Sequence, residues 1–404
     1  MLFFALLIAH LGIADSIPAA TRAATASTAD GAAIIVHRQP ALPVVSLRLS
    51  IVASDPPGYA GVGHLIQHLL YPGLSDRVDR IGGRLQMQRT ADAIAYTVTG
   101  PASELPYLAE LLISTLDPPA ASDDAILRAE RQLREERLAE WETAPAHVRS
   151  TLRAQLFPAD LSAAGTDRSA TRFSGSSLPR IWAELYRPTR VAVVAVGDVY
   201  LGDVQRAFAE LPDPAPAGMR EIVRDSVVLG SLAPAQATRA WIGRGYPALD
   251  LDPAAVSVTA RLLGQLIRRR IPSAQVDAEH WWTHHGQAVA LILAVPERDL
   301  EGARLVLDSA VGSLEETVTF LDVVGAAAAI RREMLMFART PDRMAEVIGE
   351  FHDREGDPNA AERFHADLES LDDRDVRSVL QRLARWDSAR EFIAPQELQP
   401  RIRP

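Results

Sequence analysis

The stretch Gly63–Gly73, with the sequence GHLIQHLLYPG, places two histidines four residues apart in an apolar run typical of a helix. Residues four apart on a helix lie one above the other on the same face, so His64 and His68 can point at a single metal ion. Gln67 stands where a zinc peptidase with such a helix carries a glutamate that takes a proton from metal-bound water. A carboxamide cannot accept that proton. The stretch therefore indicates half of a zinc site without its catalytic base.

The composition is that of a globular protein with more than one core. The chain has 404 residues, 48% of them hydrophobic and 23% charged, which suits two domains of about 200 residues each. A formal net charge of -10 argues against a nucleic-acid-binding surface. The absence of cysteine excludes disulfides and thiolate metal ligands.

The N-terminal segment indicates export. Residues 1–14 are nearly all apolar, and small residues follow, with Ala-Thr-Ala at 24–26 as a cleavage context. This run is too short for a membrane span of about 20 residues, so we expect a signal peptide over residues 1–26 and a periplasmic or secreted protein. The run lacks the basic residues that normally precede the apolar part of a signal peptide. An uncleaved interfacial anchor and a misassigned start codon are therefore alternatives. No later stretch is apolar enough to cross a bilayer.

The rest of the chain alternates strands and helices in two similar halves. In the first half, strands are expected at 31–37, 44–53, 84–100 (two, with a turn at 91–92) and 190–198, and helices at 63–73, 105–116, 122–142 and 178–186. In the second half, strands are expected near 240–244, 288–295 and 391–394, and helices at 254–270, 300–315 and 321–340. The proline-rich segment 211–218 is the expected linker. The pattern predicts a duplicated α+β unit with domains at 27–211 and 219–404.

The histidine stretch resembles the signature of the pitrilysin/insulinase (M16) family of zinc peptidases, which carry an inverted H-x-x-E-H motif. The resemblance implies two similar domains, each a mostly antiparallel sheet packed with helices. It extends through segments that agree in order and spacing, namely Ile81–Leu85 leading to Asp92 and Tyr96, the long charged helix, Gly165-Thr166 before Ser174, Tyr186–Pro188 running into 193–198, Leu262–Gly264, and 372–383.

The resemblance implies a third zinc ligand, a glutamate on the long helix about seventy residues after the second histidine. Alignment on Pro145 and Glu130 puts Arg137 at that position, where a guanidinium would repel the cation. A shift of one residue would install Glu136 instead. With Arg137 in place, His64 and His68 would be vestigial or weak ligands. We expect no cofactor on that reading, and zinc if the site is retained.

The resemblance also identifies positions that would hold an extended peptide substrate. Family members carry an Asn-Ala-x-Thr edge strand, where this chain has Gln86-Met87-Gln88-Arg89. An arginine and a tyrosine of the second domain help to hold substrate in two-subunit bacterial members. Arg270 matches the arginine, whereas the tyrosine position falls near Val276.

The run 279–285, Glu-His-Trp-Trp-Thr-His-His, is a second metal candidate. On a strand, His280, Trp282 and His284 would share one face, a pattern more typical of half-buried packing than of metal ligation. We therefore expect packing there.

Two functions from different classes fit these residues. The first is a non-catalytic M16-type subunit that binds peptide and pairs with an active zinc peptidase, or with a second copy of itself. The second is a zinc metalloendopeptidase in its own right, with His64, His68 and Glu136 as ligands and another carboxylate as base. A periplasmic binding or scaffold protein unrelated to proteolysis remains a third alternative.

Overall fold

The protein forms two β-sheets covered by helices, in a computed structural model that describes residues 23–53, 55, 61–119, 121–141, 143–157, 177–212 and 237–394. The strands of the first sheet are β1 (Ala24–Ser27), β2 (Ala33–Arg38), β3 (Val44–Val52), β4 (Arg84–Arg89), β5 (Ala93–Pro101) and β6 (Val191–Gly197). Those of the second are β7 (Ala240–Pro247), β8 (Gln275–Thr283), β9 (Gly286–Val295) and β10 (Ala389–Ile393). Their spatial orders are β1-β2-β6-β3-β5-β4 and β10-β7-β9-β8. Strands β2 and β6 pair in parallel, and the other described pairs are antiparallel.

Twelve α-helices lie within these described ranges. They are α1 (Val62–Asp79), α2 (Leu105–Ile113), α3 (Asp123–Trp141), α4 (Ala144–Leu156), α5 (Leu178–Leu185), α6 (Leu201–Ala207), α7 (Pro253–Arg270), α8 (Leu300–Thr317), α9 (Phe320–Phe337), α10 (Pro341–Glu355), α11 (Ala360–Ser370) and α12 (Asp373–Leu383). Short 3₁₀ turns lie at Ala102–Glu104, Ser114–Leu116, Pro188–Arg190 and Glu297–Asp299. The predicted α+β class is confirmed.

The centre of the first sheet follows directly from the sequence. Strand β6 is an unbroken apolar run and is buried along its whole length, as a strand covered on both faces should be. It ends at Gly197, whose φ is +142°, and a Cβ there would overlap the carbonyl oxygen of Val44 on β3. Glycine is needed where these two strands meet.

Each sheet is covered on one face by a helix from the other half of the chain. Helices α1, α2, α3, α5 and α6 pack on one face of the first sheet. The opposite face is covered by α10, which comes from the second half. Ala345 and Ile348 of that helix pack against Ile35, Val194 and Val196.

The first half provides the matching cover for the second sheet. Val148 of α4 packs on β7, β9 and β10, opposite the face that α7, α8, α11 and α12 cover. A Cβ at Gly243 would come within 2.5 Å of Val148, and one at Gly245 within 2.5 Å of Leu156. The two glycines of β7 therefore let α4 lie close against the sheet.

A buried ion pair fastens α10 to the first sheet. Arg48 on β3 is fully buried, and its Nη2 donates to Asp353 Oδ2 on α10 at 2.7 Å. Ser50 Oγ donates to the other carboxylate oxygen, also at 2.7 Å. Gly349 leaves the space that the guanidinium fills, since a Cβ there would overlap it.

Several expectations about organisation fall partly or wholly outside the described residues. Of the expected signal peptide, residues 1–22 lie outside, and residues 24–26 belong to β1. The expected linker lies outside from residue 213 onward, as does the 165–174 motif. Sequence reasoning missed α4, α6, α10, α11, β1 and the full length of β8. Among the described helices, none has the length and apolar character needed to span a membrane.

Candidate metal centre

Helix α1 presents both histidines of the motif on one face. The two imidazole rings are stacked, with centroids 4.7 Å apart and planes inclined by 25°. Gly63 precedes the first histidine, and a Cβ there would come within 2.7 Å of Ile94 Cδ1 on β5. The absence of a side chain at this point lets the helix pack directly on the sheet, which fixes the height of His64 and His68 above it.

Helix α3 brings a carboxylate to the two histidines. Glu136 Oε2 lies 3.4 Å from His64 Nε2 and 3.2 Å from His68 Nε2. These three side chains are the one group within the described ranges whose histidine, cysteine or carboxylate ligand atoms could hold a metal ion, all lying within 4.8 Å of one another. The His68 side chain is 11% exposed, against 35% for His64 and 44% for Glu136. The group is therefore open to solvent on one side.

The three side chains fit a zinc ion. Two ligands of one tetrahedral zinc stand about 3.3 Å apart, because each lies about 2.0 to 2.2 Å from the metal. The distances from Glu136 to the two histidines match that separation. Two imidazoles and one carboxylate also form a donor set typical of catalytic zinc sites, in which the fourth position is left for water or substrate.

This geometry corrects the expectation that Arg137 occupies the third-ligand position. The residue of α3 that faces the histidines is Glu136, as the alignment shifted by one residue predicts. Arg137 lies within α3, and its side chain is outside the described part of the chain.

Gln67, at the position of the catalytic base, forms hydrogen bonds that hold α1 against the first sheet. Gln67 is 3% exposed, and its Nε2 donates to the carbonyl oxygens of Gln88 at 3.0 Å and Ala95 at 3.3 Å. Both acceptors are backbone groups, on β4 and β5. The amide nitrogen thus joins the histidine helix to two strands, and the side chain has no group that could accept a proton from water.

The expected peptide-binding residues lie on the edge strand of the first sheet. Gln86, Met87 and Gln88 belong to β4, which among the described strands pairs with β5 alone. The Gln88 side chain is turned toward α10, where its Nε2 donates to Glu350 Oε1 at 2.9 Å. Strand β4 therefore has one edge without a strand partner within the described sheet, and the carbonyl of Gln88 connects it to α1.

Arg270 is not brought to the histidines. It lies at the C-terminal end of α7, and its Nη1 donates to Ser313 Oγ on α8 at 3.1 Å. Val276, at the expected tyrosine position, lies on β8, and its carbonyl accepts a hydrogen bond from Arg268 at 2.7 Å. The hydrogen bonds of these residues stay within the second half.

The second histidine run is a packing element, as expected. His280 Nδ1 bonds Ser257 Oγ at 2.7 Å, and its Nε2 bonds Gln287 Oε1 at 2.9 Å, so both ring nitrogens have partners. Burial lowers the pKa of His280 to about 4, although the hydrogen bond with Gln287 opposes this shift. The ring also stacks on Trp282, with centroids 5.8 Å apart.

Sequence reasoning missed two residues next to the histidine helix. Asp55 accepts hydrogen bonds from the backbone at the start of α1, and Arg89 on β4 forms an ion pair with Asp55. The available signal was Arg89 itself. It stands at the threonine position of the family's edge strand, and an arginine that is buried needs a carboxylate partner.

Comparison with known proteins gives the fold a name. Scans against protein-family models and against curated proteins found no match. Solved structures do match. The inactive domain of a peptidase M16 from Pseudomonas fluorescens superposes with a TM-score of 0.73 at 16% identity, covering 90% of this chain and 95% of that one. The chain has the M16 peptidase fold.

Two further solved structures match at similarly low sequence identity. A protease from Helicobacter pylori gives a TM-score of 0.75 at 15% identity, over 93% of this chain and 100% of that chain. A chain of complex III2 from Candida albicans gives 0.72 at 14% identity, over 89% and 92%. The resemblance to the M16 fold is thus confirmed. The first of these matches is called a protease and the second belongs to complex III2, so a fold shared with both does not decide activity.

Proposed function

We propose that this protein is a non-catalytic subunit of the M16 type. It binds extended peptide along β4, retains a zinc-binding group and works beside an active zinc peptidase. The observation that carries the proposal is Gln67, whose buried amide donates to two backbone carbonyls at the position of the catalytic base. Pairing with a second copy of this chain is the alternative arrangement. We place its action in the periplasm or outside the cell, on the basis of the apolar N-terminal run.

In this proposal His64, His68 and Glu136 hold zinc, which would supply a Lewis acid at the open side of the group. The side chains of this chain can orient a peptide and exclude water, but Gln67 cannot take a proton from zinc-bound water. Removal of a positioned general base lowers the rate by about 10²- to 10⁴-fold. Zinc binding without appreciable hydrolysis is the expected result.

The peptide is expected at the unpaired edge of β4. An extended peptide gains affinity there through backbone hydrogen bonds, with selectivity from side chains that alternate along the strand. Gln86 and Gln88 lie on one face of β4 and Met87 on the other. Similarity to an inactive M16 domain and to a chain of complex III2 supports a role in an assembly.

The test combines metal content with peptidase activity. The purified full chain is loaded with zinc, freed of unbound metal and assayed on unfolded peptides, alone and with a co-expressed M16 peptidase from the same source. We expect about one bound zinc, its loss in Glu136→Gln, and hydrolysis only when the partner is present. Robust hydrolysis by the chain alone, abolished by a chelator, overturns the proposal.

The second candidate function is a zinc peptidase in its own right. The specific observation in its favour is the position of Glu136, which completes the ligand set that this alternative requires. The Gln67→Glu variant separates the two candidates. A gain of chelator-sensitive hydrolysis supports a site that has lost its base, whereas activity already present in the wild type supports the enzyme.

The Gln67→Glu variant has a structural cost that the assay must include. A carboxylate at this position would face the carbonyl oxygens of Gln88 and Ala95, from which the amide nitrogen is 3.0 and 3.3 Å away. Like partial charges at that distance repel, and two buried acceptors would lose a donor. Gln67→Met removes the same donor without adding charge and is the matched control for stability.

A further inference from the structure

The start of the histidine helix is held by a buried carboxylate. The Asp55 side chain is fully buried, with Oδ2 accepting from Gly61 N at 2.6 Å and Oδ1 from Gly63 N at 3.1 Å. These are backbone N–H groups of the first turn of α1, which have no partner inside the helix. A negative charge is also favoured at a helix N-terminus. Asp55 therefore fixes the turn that carries His64.

An arginine from the edge strand braces that carboxylate. Arg89 Nη2 lies 3.3 Å from Asp55 Oδ1, and its Nη1 donates to the carbonyls of Thr90 and Ala93 at the β4–β5 turn. The Arg89 side chain is only 6% exposed. The same guanidinium acts on Tyr96, partly countering the rise in pKa that burial imposes on the phenol. One side chain thus joins the end of β4, the turn and the start of α1.

We propose that Arg89 and Asp55 are positioning residues for the metal group, fixing α1 so that both imidazoles meet Glu136. This inference rests on the proposed zinc-binding group. Neither Arg89 nor Asp55 is a ligand. They act through the backbone of α1, whose first turn they hold against β4 and β5. Gly63 permits that close approach, because a Cβ there would come within 2.7 Å of Ile94 Cδ1 and 2.9 Å of Asp55 Oδ1.

The effect is expected in metal affinity. Residues that orient ligands from outside the ligand set typically change metal affinity by about 10- to 100-fold when mutated. His64 is the ligand nearest the braced turn, one residue after Gly63. A shift of α1 would move it relative to Glu136, which is held on a different helix.

The test measures zinc affinity by competition with a chromophoric chelator and ligand geometry by the visible spectrum of bound Co²⁺. Arg89→Met should weaken zinc binding by about 10- to 100-fold and alter the Co²⁺ spectrum. Arg77→Met is the matched control. Arg77 lies on the histidine helix α1, and its replacement removes an ion pair with Glu110 of α2 that is open to solvent. It should change affinity by less than about twofold.

Two further variants keep the test decisive if Arg89→Met does not fold. Arg89→Lys keeps the charge but cannot reach all three oxygens, so it should fold and still bind zinc more weakly than the wild type. The pair Asp55→Asn with Arg89→Gln restores a neutral hydrogen bond and should recover part of the affinity. Unchanged zinc affinity and Co²⁺ spectrum in Arg89→Lys overturn the inference.

The outcomes also separate this inference from the proposed function. If the wild type binds no zinc, the proposed metal group fails, and the inference fails with it. If the wild type and Arg89→Lys bind zinc equally, the inference alone fails. A fall in thermal stability with unchanged affinity in the folded fraction also counts against it, because it assigns the pair a purely structural role.

Discussion

Removing one partner of the Arg48–Asp353 pair should destabilise the whole chain. The two groups are 0% and 2% exposed, and their oxygen and nitrogen are 2.7 Å apart. Asp353→Ala would leave a buried guanidinium whose Nε and Nη1 already have no hydrogen-bond partner in the described structure. Breaking such a pair typically costs about 3 to 5 kcal/mol, whereas replacing both members with apolar groups is often neutral or stabilising.

The assay is urea denaturation followed by tryptophan fluorescence and circular dichroism. Asp353→Ala is compared with a double variant that carries both Arg48→Met and Asp353→Leu. The control is Arg304→Ala, which breaks an exposed ion pair with Glu301. The control should cost under about 1 kcal/mol. Equal losses for the single and double variants, or a single-variant loss within that of the control, would refute the reasoning.

The Arg48–Asp353 pair also predicts that the stability of the protein falls at low pH. Burial alone would raise the pKa of Asp353, but the charge of Arg48 and hydrogen bonds from His352, Arg48 and Ser50 lower it overall. A carboxyl group with a lowered folded pKa stabilises the protein above its unfolded pKa, about 3.9, and this contribution is lost as pH falls through the folded value. The wild type should lose this increment below pH 4, and the double variant should not.

Three more predictions follow from burial, space and helix capping. Because the pKa of His280 is lowered to about 4, the free energy of unfolding should fall by up to about 3 kcal/mol as pH drops from about 6.5 to 4. In urea denaturation at pH 7.5 and 5, the stability of His280→Gln should depend less on pH than that of the wild type. Gly243→Ala should cost about 1 to 3 kcal/mol because its Cβ would press on Val148, whereas Gly312→Ala, in open space on α8, should stabilise by about 0.4 to 1 kcal/mol in the same urea titration. Asp372→Ala should remove the capping box of α12 and cost about 1 kcal/mol by thermal denaturation.

Sequence reasoning worked where one local pattern decides an element. The apolar run of β6 and the two histidines of α1 are local patterns that the structure reproduces. The alternation in β3 predicts a strand, but not its burial on both faces, because α10 covers the polar face that carries Ser46, Arg48 and Ser50. The edge strand and the position of Gln67 were also readable. These features depend on near neighbours in the chain, so a single sequence carries them.

Sequence reasoning failed where an element packs against residues that are distant in the sequence. Helix α10 has apolar residues at helical spacing, Met344, Ile348 and Phe351, but nothing near it in the sequence indicates which sheet it covers. Its buried Gly349 and Asp353 contact Arg48 on β3, about 300 residues earlier. The choice between Glu136 and Arg137 failed for a related reason. Both residues fit the spacing, and only the packing of α3 against α1 decides which one faces the histidines.

The exchange of α10 and α4 between the two sheets limits how this protein can be divided. Two polypeptides made by separating the chain between residues 212 and 237 would each be missing a cover, so one would expose Val194 and Val196 and the other Ala290 and Ile292 to water. Each fragment would be insoluble or only partly folded by itself. Co-produced, they would be obliged to assemble, which makes this chain a natural candidate for a split-protein complementation pair.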